Sequence, residues 1–199
     1  MNSTSPHPTT DPLAETISAI HDSPTRAALA ITGGGSGALT RLLAVPGASR
    51  TVLEGQVPYS ARALIDYLGT PPDHFCDDAT ALAMAVVAFQ RATRLVDDTS
   101  DSSTLLGLGA TASLASDRPK RGDHRALVAL QTDSSTTLAR LDLEKNARTR
   151  AEEEDLVARL LIDLFAEAAG VTDRPELSLG EADGLAIRRS VAAPELADV

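Results

Sequence analysis

The sequence predicts an α/β fold: a three-layer α/β/α sandwich on a mixed sheet, with a C-terminal antiparallel hairpin. Three observations carry that prediction. Short apolar runs interleave with amphipathic stretches of helical spacing through the first half of the chain, as in strands covered by helices. Residues 124–132 and 136–143 alternate apolar and polar positions around Asp133-Ser134-Ser135, the pattern of a hairpin. Residues 148–169 place Leu156, Val157, Leu160, Leu161, Leu164, Phe165 and Ala168 at helical spacing ahead of Gly170, giving a long helix with a face to bury.

The other elements follow in order. Residues 1–12 are rich in Ser, Thr and Pro and are expected to be disordered. Leu13, Ile17 and Ile20 mark a weak helix, and Asp22-Ser23-Pro24 a helix start or turn. Residues 27–32 read as the first strand, 37–44 as a short helix and 50–57 as a second strand. Ser60 caps a helix that Gly69 stops. Asp77 or Asp78 caps a longer helix running to about residue 96. A polar loop over 97–103, a strand over 104–112 and a charged loop over 113–123 lead into the hairpin. Residues 171–199 read as a polar tail or linker, with 185–199 unpacked because they carry few apolar residues.

Composition narrows the function. The 199 residues hold 43% hydrophobic side chains but only 3% aromatic ones, so the core must be aliphatic. A net charge of −10 argues against nucleic acid or an anionic membrane as partner. A single cysteine, Cys76, excludes an internal disulfide and any multi-cysteine zinc site, and suits a reducing, cytoplasmic setting. No apolar run approaches the roughly 20 residues of a membrane span. The histidines His7, His21, His74 and His124 lack metal-ligand spacing and read as solvated or loop residues; no metal and no cofactor is expected. The acidic run at residues 152–155 reads as a solvated helix face that complements the helix dipole.

The chemistry concentrates in Thr32-Gly33-Gly34-Gly35-Ser36-Gly37, between the first strand and a helix. Such a loop converges backbone N–H groups on an anion. With Glu54 it also fits a loose dinucleotide fingerprint, and residues 34–38 nearly match a nucleophile elbow. The favoured reading is a generic anion site, set against a plain tight turn that needs positive φ.

Further motifs stand in order after it: Val45-Pro46-Gly47-Ala48-Ser49, Val57-Pro58-Tyr59-Ser60, Leu68-Gly69, residues 106–110, the basic stretch 118–122, and Arg148 and Arg150 opening the last helix. Over residues 13–170 this order resembles the CinA C-terminal domain family, which includes nicotinamide mononucleotide deamidases. That family carries E-S-C-T-G-G, then V-P-G-A-S, then Y-S-N-x-x-K. The resemblance implies a cleft for a pyridine-nucleotide-type phosphorylated ligand. Ser49 and Tyr59 would then be the catalytic residues, and Thr32, Gly33, Gly34, Gly35, Ser36, Gly107, Arg148 and Arg150 the ligand-binding ones. It also implies a homo-oligomer or a nucleotidyltransferase-like domain as protein partner. In the family the serine attacks the amide and the lysine assists. Here Leu64 stands at the lysine's position and Ala30-Ile31-Thr32 replaces E-S-C. The expected function is therefore ligand binding with weak or lost amidase activity. The alternative is an active nicotinamide-nucleotide amidase with Ser49 as nucleophile.

Overall fold

The computed structural model describes residues 12–96, 103–117 and 122–191. The elements run α1 (Pro12–Asp22), β1 (Thr25–Thr32), α2 (Gly37–Ala44), α3 (Ala48–Thr51), β2 (Val52–Gln56), α4 (Ala61–Leu68), α5 (Asp78–Leu95), β3 (Thr104–Ser113), β4 (His124–Gln131), β5 (Ser135–Leu143), α6 (Arg150–Ala168) and β6 (Gly184–Val191). The strands form one sheet in the order β2-β1-β3-β4-β5-β6. β2, β1 and β3 are parallel, and β3 to β6 pair antiparallel in sequence. The α/β class, the mixed sheet and the hairpin of β4 and β5 match the sequence prediction.

Strand periodicity sorts the residues to two unlike faces. Ala27, Leu29 and Ile31 of β1, Leu106, Leu108 and Ala110 of β3, and Ala126, Val128 and Leu130 of β4 join the main core with α1, α2 and α6. The opposite face is built small. Ala81, Ala85, Ala88 and Ala92 line the buried side of α5, and Ala28, Ala129, Gly107 and Gly109 lie on the strands that face it. A Cβ on Gly107 would lie 2.1 Å from the Phe89 nitrogen and 2.2 Å from the Ala85 oxygen, so the α5 backbone rests on the β3 backbone.

The helix ends follow local chemistry. Ser60 accepts from the Ala63 N–H and Asp77 from the Thr80 N–H. Thr149 and Glu152 form a capping box at the start of α6. Gly69 closes α4 in the left-handed conformation.

Three expectations need correction. The stretch 50–57 is not all strand: the single-turn helix α3 takes up residues 48–51. The tail contains β6, which pairs with β5 along its length. Leu185 and Ile187 pack against the main core, Arg188 pairs with Asp78, and Arg189 pairs with Glu167. An edge strand needs only one apolar face, so two well-placed residues suffice among charged neighbours. Finally, His21 and His124 are buried, at 1% and 4% exposure, because each finds partners inside the fold. The expected disordered segment lies outside the described residues except for Pro12, and so do residues 118–121 of the basic stretch and the tail beyond Val191.

Candidate functional site

β1 continues through α2 to β2 on one side of it, and β2 returns through α4 and α5 to β3 on the other. The connections therefore diverge above the carboxyl ends of β1 and β3, where open α/β sheets form a crevice. Two adjoining cavities, of 390 and 450 Å³, open at that point and share Thr32, Gly33, Tyr59 and Arg150 as walls. The Thr32 hydroxyl donates to the Pro58 carbonyl (2.9 Å), which ties the end of β1 to the segment carrying Tyr59. Tyr59 and Phe75 stand exposed on the wall of the second cavity.

The first turns of α6 fill the loops above the strands. Arg150 donates through Nη2 to the Gly33 carbonyl (2.8 Å) and through Nη1 to the Ala115 carbonyl (3.2 Å). Among the described residues no carboxylate pairs with it. Glu153 is fully buried; it accepts from the Ala115 N–H (2.6 Å) and from Nδ1 of buried His124 (2.6 Å). Glu154 reaches the glycine loop. It accepts from the Gly35 N–H (2.6 Å), the Ser36 hydroxyl (3.0 Å) and the Gly37 N–H (3.2 Å). The loop does bind an anion, and that anion is a carboxylate of the chain itself. The acidic run is therefore not a solvated face, since two of its members hold the site together.

Gly35 explains the tightness of this seat. Its φ of +90° favours glycine, and a Cβ there would lie 2.6 Å from Leu161 and 2.8 Å from Val157. The sequence alone suggests that Gly35→Val acts on ligand binding more than on folding. The contacts with α6 make it a folding position as well.

The expected site residues come together only in part. Thr32, Gly33, Gly34, Ser36, Tyr59 and Arg150 meet at the cavities, with Gly35 just behind. Gly107 lies under α5, several residues before the end of β3. Arg148 is clasped by Asp183 through both Nη atoms (3.0 and 2.5 Å). Burial pushes the Asp183 carboxyl up. The Arg148 guanidinium and the N–H groups of Glu144 and Gly180 outweigh it and hold the group below its ordinary value. Ser49 is exposed on α3, which precedes β2 and so lies at the amino end of the parallel strands, away from Tyr59. Leu64 is 2% exposed and packs with Ala30 and Met84. Glu54, the acid of the fingerprint reading, is held by Arg91, whose hydrogen bonds lower its pKa against the pull of burial. The described residues contain no cluster of three or more potential metal ligands.

Sequence reasoning missed Glu153, Glu154, His124 and Phe75. Arg150 and Glu154 stand four residues apart on a helix, a spacing that signals a shared face. Their partners in the glycine loop lie more than a hundred positions away and leave no local mark.

No protein-family model matches the sequence, and no curated protein matches it. Solved structures do. The competence/damage inducible protein CihA from Agrobacterium tumefaciens superposes with a TM-score of 0.58 at 16% identity, covering 80% of this chain and 96% of its own. A competence-damaged protein (CinA) superfamily protein from Enterobacter cloacae gives 0.58 at 16% identity over 85% and 99% of the two chains. One from Escherichia coli gives 0.52 at 16% identity over 86% and 98%. These likenesses show that the chain has a CinA-like fold.

Proposed function

We propose that this chain is a binding module that takes a pyridine-nucleotide-type phosphorylated ligand in the crevice above β1 and β3, without amidase turnover. The observation that carries this reading is Arg150. Its guanidinium borders both cavities and is fixed by two carbonyls, yet meets no carboxylate among the described residues. A positive charge so placed favours an anionic group entering the crevice. Exposed Tyr59 and Phe75 offer aromatic faces for a planar base at the same wall.

Two placements weigh against amide hydrolysis. A serine nucleophile needs a base within hydrogen-bond reach. Ser49 sits at the far end of β2, and the position of the family's lysine holds an aliphatic side chain in an apolar cluster. The test is titration calorimetry with nicotinamide mononucleotide, run beside an ammonia assay. Saturable binding with no ammonia above the blank is the expected result. Steady ammonia release abolished by Ser49→Ala would replace this reading with the amidase.

A further inference from the structure

Glu154 differs from the carboxylates further along this helix, while Glu152 closes the capping box and Glu153 is held by His124. Asp155 pairs with Arg41 and Arg159, Glu167 with Arg174 and Arg189, and Asp163 with Arg174. Among the described residues no cation pairs with Glu154. Its two oxygens are satisfied by two loop N–H groups and one hydroxyl, the donors that an entering phosphate would use. The side chain is also part of the cavity wall, together with residues 33, 34 and 36 and Arg150. Arg150 and Glu154, one helical turn apart, do not pair with each other: the cation holds carbonyls and the anion holds amides. An unneutralised guanidinium thus lines a cavity whose other anion-binding donors are already taken by a side chain.

We propose that Glu154 is a displaceable intramolecular occupant of the anion site. A phosphate monoester reaches the Gly35 and Gly37 N–H groups and the Ser36 hydroxyl only by expelling the Glu154 carboxylate, and this competition sets the affinity and anion selectivity of the crevice. The inference rests on the reading that the crevice takes a phosphate-bearing ligand. Expulsion costs a set of charge-assisted hydrogen bonds, so wild-type affinity for phosphate is weakened, while a nucleoside without a phosphate gains nothing when the carboxylate is removed. Dianions feel the like charge of Glu154 most and lose most from it.

The test uses the full chain as wild type, Glu154→Gln and Glu154→Ala, titrated with inorganic phosphate, nicotinamide mononucleotide and nicotinamide riboside. Binding is followed by calorimetry and by the ¹⁵N–¹H shifts of Gly35 and Gly37, with thermal unfolding to verify the fold. Both variants should bind inorganic phosphate and the mononucleotide about tenfold or more tighter, Ala at least as tightly as Gln, with no gain for the riboside, a pyridinium cation that carries no phosphate. Phosphate should move the Gly35 and Gly37 signals in the variants more than in wild type. Folded variants whose loop amides ignore phosphate would overturn the proposal, and so would equal gains for the riboside. If phosphate moves the loop amides of the variants but the mononucleotide binds none of the proteins, the ligand reading fails and the displaceable carboxylate stands.

Discussion

At the amino ends of β1 and β2, charge meets charge and polar groups meet inside the chain. Arg50 donates to Asp22 and to the His21 carbonyl. Buried His21 donates through Nε2 to the Leu42 carbonyl (2.9 Å), which leaves Nδ1 to accept from the Thr51 hydroxyl (3.2 Å). At the carboxyl ends of β1 and β3 the pattern changes. Arg150 meets only carbonyls, and Glu154 meets only N–H and O–H donors. The first end is a closed structural joint, and Ser49 is on it. The second has opposite charges left unpaired beside open cavities. The proposed binding site rests on these separated charges beside a cavity and not on the presence of a nucleophile.

The largest effect separates two neighbours on α6. Glu153→Ala leaves the buried His124 Nδ1 and the part-buried Ala115 N–H without an acceptor and should cost about 3 kcal/mol or more in urea unfolding. Glu154→Ala, beside the cavity, should cost far less in the same assay. Next, His21→Ala should remove about 2 kcal/mol from the amino-end joint and leave nucleotide affinity unchanged by calorimetry. Arg150→Gln should do the reverse: affinity for nicotinamide mononucleotide falls about tenfold, with the fold retained. A smaller effect belongs to acid. Asp183 has a folded pKa below its unfolded one, so its clasp with Arg148 contributes stability above the ordinary carboxylate range. That contribution is lost as pH falls from about 4 through the folded pKa. Wild-type stability should therefore drop more steeply below about pH 4 than that of Asp183→Asn, measured by unfolding across that range. The smallest effect is Ser49→Ala, expected to stay within about 0.5 kcal/mol and to leave binding unchanged.

What the sequence made legible divides along physical lines. The strand of residues 27–32, the glycine loop, the Ser60 cap, a cap at Asp77 or Asp78, and the hairpin β4–β5 are written in local spacing and cap chemistry; the structure has them, with the strand beginning at Thr25 and the cap at Asp77. β6 was hidden because Leu185 and Ile187 alone form its apolar face while Arg188 and Arg189 suggest a linker. The loop's capacity for an anion was legible. Its occupant was not, because Glu154 arrives from a helix 119 residues later. Gly107 matched a family motif by order in the chain, yet the close approach of α5 already accounts for that glycine.

The most direct test follows one nuclear magnetic resonance titration of the ¹⁵N-labelled chain with nicotinamide mononucleotide, in which protein amides and ligand protons are read from the same tube. Saturable shifts should gather at residues 32–37, Tyr59 and Arg150, with His21 and Ser49 still and the ligand's carboxamide intact after prolonged incubation. Shifts gathering at Ser49, or conversion of the carboxamide to a carboxylate, would contradict the account.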